Sequence, residues 1–194
     1  SFHIEVPPTS PCSLVVERPE DFTIEVNGAN ITGFARSQWW VDNCFTAIAL
    51  PMDSLKVGEN KVLLKTKFHE SSNLEALYLI GQFGVRLDGT KRTIVALPEK
   101  VEVGDLVKQG FPFYSGRFTY LVPMPQDLKK AKELRVTTPK FTAACVKVDG
   151  DGMIAWQPYQ TDVPGGKDIL RVETVLTRRN TFGPLHQVPL VCGG

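Results

Sequence analysis

Three features of this 194-residue sequence predict an all-β chain built from two related sandwich units. Apolar residues alternate with polar ones in most of the strand-length runs. Turn residues interrupt those runs at short intervals, and the order of the motifs repeats between the two halves.

The alternation runs the length of the chain. Phe2–Val6 opens it as a strand-like run. Phe22, Ile24 and Val26 alternate with Thr23 and Glu25. Val62, Leu64, Thr66 and Phe68 alternate with Lys61, Lys65 and Lys67, and Phe118, Tyr120 and Val122 alternate with Arg117 and Thr119. Successive strand residues point to opposite faces, so each run reads as a strand with one face on a core and the other in water. Fourteen prolines and sixteen glycines leave little room for long helices. Only Gln126–Leu134 offers a short helical turn, and its lysines place it on the surface.

The repeat gives the domain organisation. Phe2–Pro7 resembles Phe118–Pro123, Leu14 and Val16 find counterparts in Leu134 and Val136, and Phe22–Gly28 matches Thr142–Gly150. Trp40-Val41-Asp42 corresponds to Tyr159–Asp162, and Gly58-Glu59-Asn60 to Gly166-Lys167-Asp168, at a spacing that shortens at the last pair. Five correspondences in one order argue for duplication. Asn27-Gly28 and Asp149-Gly150 accept positive φ, so each closes a tight hairpin. The run Asp149-Gly150-Asp151-Gly152 lacks the later carboxylates of an EF-hand and reads as the same turn. The expected modules span 1–87 and 88–194. The first copy lacks opening strands equivalent to 88–116, which either lie upstream in a longer parent or are missing from a smaller unit that leans on the second. A single fused sandwich is the alternative.

Composition excludes several function classes. Twenty-two Lys and Arg against 21 Asp and Glu leave a net charge of +1, without the concentrated basic footprint that nucleic acid or an anionic membrane requires. No apolar run is long enough to cross a bilayer, and no signal peptide is visible. The chain begins at Ser1 and enters a strand at once, so it reads as an excised segment. Cys12, Cys44, Cys145 and Cys192 show no CxxC spacing, which argues against zinc. Buried free thiols are expected, and disulfides are the alternative, one that a domain of this size does not need.

Catalytic constellations are missing. No Gly-x-Ser-x-Gly elbow occurs, His3, His69 and His186 are scattered, and no Gly-rich phosphate cradle is present. Glycosidic cleavage needs two carboxyl groups held about 5–10 Å apart, and the acids here lie mostly in turns or on charged strand faces. Asp42 and Asp162 fall at matching repeat positions, which suggests a structural task such as accepting backbone N–H groups. Glu75, in an otherwise apolar run, should be paired or at an edge. No catalytic residue is expected in this segment.

The ordered motifs resemble the galactose-binding-like, sugar-binding jelly rolls of large bacterial glycoside hydrolases, those of rhamnosidase-like and family-two-like enzymes. Val26-Asn27-Gly28, Trp39-Trp40-Val41-Asp42, Gly58-Glu59-Asn60 and Leu74–Val85 carry the resemblance in the first half. Gln109–Gly116, Trp156-Gln157-Pro158-Tyr159 and Asn180–His186 carry it in the second. The second turn is Asp-Gly rather than Asn-Gly, and Leu185 and Gln187 stand where such tails are richer in histidine. The resemblance implies tandem jelly-roll β-sandwiches that form a non-catalytic accessory region. The catalytic domain would then lie elsewhere in the same parent chain, acting on complex polysaccharide. Modules of this kind often carry a structural calcium, but no residue here identifies a metal site, and no other cofactor is expected.

Sugar recognition needs aromatic faces for C–H surfaces and planar polar groups for vicinal hydroxyls. Trp39, Trp40 and Asp42, with Asn43 beside them, combine both. Consecutive strand tryptophans point to opposite faces, so one enters a core and the other meets an inter-module seam or a sugar. Trp156, Gln157 and Tyr159 form the equivalent cluster. Tyr114 and Arg117 could bond hydroxyls or a uronate carboxylate. Burial in a core, a seam or a loop is the structural alternative for each cluster. The expected partners are a polysaccharide or oligosaccharide and the parent's catalytic domain, with no nucleic acid and no membrane insertion. A cell-surface adhesion or protein-interaction module without glycan binding is the competing reading. Compartment is open: extracellular or periplasmic for a secreted parent, with cytoplasmic compatible with unpaired cysteines.

Overall fold

Alternating side chains meet in two separate apolar cores in a computed structural model that describes residues 1–33, 39–70, 72 and 75–178. The described chain is almost entirely β and divides into two units, Ser1–Pro112 and Phe113 onward.

The first unit contains β1 (Phe2–Ile4), β2 (Ser13–Glu17), β3 (Thr23–Val26), β4 (Ala29–Ile31), β5 (Trp39–Trp40), β6 (Asp42–Ala49), β7 (Gly58–Asn60), β8 (Val62–Lys65), β9 (Tyr78–Ile80), β10 (Gly84–Asp88) and β11 (Lys91–Val95). They form sheets in the orders β5-β6-β2-β9, β4-β3-β8 and β10-β11-β1-β7. Leu14 and Val16 from β2, Ile24 and Val26 from β3, Ile31 from β4 and Ile48 from β6 form one core, so the first two sheets pack face to face in a sandwich-like arrangement. The unit runs on to Pro112 because β11 pairs parallel with β1 and the Gly110 carbonyl accepts the Val85 N–H at 2.9 Å.

The second unit contains β12 (Arg117–Pro123), β13 (Glu133–Thr137), β14 (Cys145–Val148), β15 (Gly152–Ile154), β16 (Gln160–Pro164) and β17 (Ile169–Val175). The order β12-β17-β14-β15 faces the pair β13-β16 across Leu134, Val146, Val148, Ile154, Val163 and Leu170. The expected helical turn shrinks to a 3-10 turn at Leu128–Lys130, because β13 claims the residues from Glu133.

The two units share a pairing scheme. β2 pairs with β6 as β13 pairs with β16, while β3 pairs with β4 and β8 as β14 pairs with β15 and β17. Both hairpin turns start in the left-handed region, at φ 51° for Asn27 and for Asp149, where a short side chain that bonds locally offsets the strain. The Asn27 N–H donates to the Lys61 carbonyl and the Asp149 N–H to that of Arg171, each at 2.9 Å. In return, Asn27 Oδ1 accepts the Lys61 N–H and Asp149 Oδ1 the Arg171 N–H, both at 3.0 Å. The same latch therefore ties turn to strand twice. Its far side differs: Asn27 Nδ2 donates to the fully buried Asn60, whereas Asp149 Oδ2 accepts from Lys167 Nζ at 2.8 Å.

The register revises two correspondences. Phe2 pairs with Asn60, and Val122 pairs with Leu170, so Phe2 occupies the place of Val122 rather than that of Phe118. Asp162 pairs with Arg135 as Ala47 pairs with Val15, so Asp42 and Asp162 do not share a position. The first match slipped by four residues, from Phe118 to Val122, because alternating runs look alike at any even offset, whereas the second slipped by five, from Asp42 to Ala47, across the register shift at Trp39–Trp40.

Candidate functional site

The connection between β4 and β6 delivers the first tryptophan pair. β5 pairs with β6 through Trp39–Thr46 and Trp40–Asp42, with a register shift between the two tryptophans. Val41 sits at φ 65°, a conformation a β-branched residue adopts only under strain. Such an irregularity re-aims side chains. Trp39 is 63% exposed, while Trp40 packs on Tyr78 and Phe45 at ring-centroid distances of 5.3 and 6.4 Å. Phe45 and Tyr78 close the cluster edge-to-face at 5.6 Å. One tryptophan is thus a packing residue and the other presents an aromatic face to solvent.

Asp42 Oδ1 accepts the Cys44 N–H at 3.2 Å, the backbone task anticipated for it. Cys44 is exposed, against the expectation of burial, because the bulge turns this end of β6 outward; Cys12 is buried, Cys145 is intermediate, and all three are free thiols. Desolvation and the Asp42 carboxylate both push the Cys44 thiol above its ordinary value, so it lacks the character of an activated nucleophile. Glu75 is exposed, as an unburied edge acid should be.

The second unit repeats the display on the matching connection, between β15 and β16. Trp156 is 70% exposed, beside exposed Gln157 and a cis Gln157–Pro158 peptide. Tyr159 behaves differently: its ring packs on Phe141 at 5.3 Å and against the core, and its carbonyl accepts the Thr138 N–H. Tyr114 donates its hydroxyl to the Arg117 carbonyl at 2.8 Å and sets its ring edge-on to Phe118. Arg117 is exposed at the start of β12. The eight candidate residues therefore separate. Trp39, Asp42, Trp156 and Gln157 are exposed, with Asp42 opposite Trp40 in the ladder and Gln157 next to Trp156 in sequence, while Trp40, Tyr114 and Tyr159 contribute rings to packing. The parts that sequence reasoning missed are Phe45 and Tyr78, whose union with Trp40 depends on long-range pairing, and the left-handed Val41, which no turn residue announces.

Several carboxylates in the described residues are tied to cations. Arg135 clamps Asp162 through two bonds of 2.7 and 2.9 Å, and Glu5, Glu25 and Asp168 meet Arg86, Lys65 and Lys129. The displaced carboxyls, Glu5, Asp149, Asp162 and Asp168, are all displaced downward. A general acid in glycoside cleavage is displaced upward. Among the described residues no three His, Cys, Asp or Glu side chains gather as a metal site, and no helix is long and apolar enough to cross a membrane. The motif Asn180–His186, the end of the chain and Cys192 lie outside the described residues, as does Leu74 of the Leu74–Val85 motif. In comparisons with known proteins, no family model, curated protein or solved structure matches this chain.

Proposed function

We propose that this chain is a non-catalytic accessory region of a glycoside hydrolase, built as tandem jelly-roll, galactose-binding-like sandwiches that hold a complex polysaccharide for a catalytic domain in the same parent polypeptide. One observation carries the reading. Each unit exposes a tryptophan on the same connection of the shared pairing scheme, Trp39 at 63% and Trp156 at 70%, with exposed Asp42 and Gln157 on the same connections. A sugar ring offers a flat C–H face for an exposed indole, together with hydroxyls for a neighbouring carboxylate or amide.

Native affinity electrophoresis through gels containing individual plant and host polysaccharides tests this reading. The intact chain is retarded by at least one of them, and Trp39→Ala with Trp156→Ala removes the retardation without altering the circular dichroism spectrum. Blank gels and a blank glycan array would reject glycan binding and favour a protein-interaction module.

A further inference from the structure

We propose that Asn27, in the hairpin turn between β3 and β4, is a site of spontaneous deamidation, a one-way modification whose product cannot rebuild the latch between this turn and Lys61. The chemistry is local and needs only water. The Gly28 nitrogen attacks Asn27 Cγ, a new C–N bond forms, and Nδ2 leaves as ammonia with the Gly28 N–H proton. Water then opens the resulting succinimide to aspartate or isoaspartate. Gly28 has no Cβ to obstruct the attack; it is exposed, with nothing within 4 Å of where a Cβ would stand. The other asparagines among the described residues, Asn30, Asn43 and Asn60, precede Ile31, Cys44 and Lys61, whose side chains hinder the same step.

The surrounding hydrogen bonds demand an amide at this position. Asn27 Nδ2 donates to the Ser54 carbonyl and to Asn60 Oδ1, both at 2.8 Å, and Asn27 Oδ1 accepts the Lys61 N–H at 3.0 Å. Asn60 cannot reverse its own amide to suit a new neighbour. Its Oδ1 also accepts the Lys56 N–H at 2.9 Å, and its Nδ2 donates to the Lys56 and Gly58 carbonyls at 2.6 and 3.1 Å. Backbone groups of fixed polarity thus hold Asn60, fully buried, with its oxygen toward Asn27. Residue 27 must therefore offer hydrogens to two oxygens. Aspartate offers them a carboxylate oxygen instead, and isoaspartate draws the side-chain methylene into the backbone and displaces the turn.

The second unit shows what a carboxylate needs at the same place. Asp149 Oδ2 meets the Lys167 ammonium at 2.8 Å, where Asn27 Nδ2 meets a carbonyl and an amide oxygen. A carboxylate is stable in the second latch and mismatched in the first. The bonds that reject the product also set the timing of the reaction. Expelling Nδ2 breaks both of its hydrogen bonds, so deamidation proceeds only while the turn is open, and an opening that ends in deamidation does not close again. Asn27 thus turns a transient opening of the first unit into a permanent one.

The test incubates the intact chain and a synthetic peptide of sequence Glu25–Ile31 at mildly alkaline pH and follows deamidation by peptide-mapping mass spectrometry. Asn27 reacts readily in the peptide and about tenfold or more slowly in the intact chain, and urea below the unfolding transition moves the chain's rate toward the peptide's. Asn27→Asp isolates the product. Amide exchange at Ile24 and Val26 accelerates about tenfold or more in this variant, as an orphaned buried group requires, while Val148 and Val172 keep their parent rates. A variant whose first unit fails to fold beside an intact second unit is the same result at its limit. Deamidation of the intact chain at the peptide's rate would overturn the proposal, as would an Asn27 that stays intact in urea while the peptide reacts. Parent-like exchange at Ile24 and Val26 in Asn27→Asp would overturn it equally.

Discussion

The latch at Asp149 offers the sharpest test of how this fold is held. The Asp149 side chain is only 7% exposed, occupies a left-handed turn position and accepts both the Arg171 N–H and Lys167 Nζ. Asp149→Ala keeps a Cβ at φ 51° but loses the side-chain acceptor that offsets the left-handed strain, and removes charge-assisted bonds worth about 1.5–3 kcal/mol. A loss near 3 kcal/mol is expected. Asp149→Asn recreates the residue that performs this task in the first unit, keeps the acceptor for Arg171 and tolerates the left-handed turn. It loses only the ion pair to Lys167, whose side chain is 38% exposed, so solvent screening limits the cost to about 0.5–1 kcal/mol. Native-state hydrogen exchange at Val148 and Val172 reads the second unit by itself. The pH dependence adds a second readout. Burial pushes the Asp149 carboxyl up, but the Lys167 bond and the Arg171 N–H outweigh it and hold it below its ordinary value of 3.8. The latch therefore contributes fully above that pH and is lost as pH falls through the lower folded value. The gap between Asp149→Ala and the parent should close on the same descent. Equal losses for Asn and Ala, or a gap that widens in acid, would refute the reasoning.

Two further outcomes follow from the first unit. Asn60 is fully buried, accepts from Asn27 Nδ2 and the Lys56 N–H, and donates to the Lys56 and Gly58 carbonyls. Asn60→Ala orphans several of these groups at about 1–3 kcal/mol each, so exchange at Ile24 and Val26 should accelerate by more than a hundredfold; an unchanged rate would count against the network. Val41→Gly relieves the left-handed strain at φ 65° and should raise stability by about 1 kcal/mol in denaturant titration, and a destabilised variant would show that the bulge is not strained.

Much of the site was legible in part. The pairing of an indole with a planar polar group could be read at Trp39–Asp42 and at Trp156-Gln157, because the residue types and their proximity are local facts. Which indole is exposed could not. Alternation assigns Trp39 and Trp40 to opposite faces, but the faces are labelled only when Phe45 and Tyr78 arrive from other strands to cover Trp40. The hairpin turns at Asn27-Gly28 and Asp149-Gly150 were legible for the same local reason, whereas the strand each turn locks onto was not.

Alternation, turn chemistry and near-neutral charge settled by themselves that this chain is β throughout and that its motifs recur, since those properties depend on neighbours within a few residues. Tertiary pairing alone decided that Phe2 takes the place of Val122 and that β11 joins β1 in the first unit. The reason is the period of two. A strand shifted by an even number of residues shows the same pattern to its core, so only the hydrogen-bonded partner across the ladder selects the register.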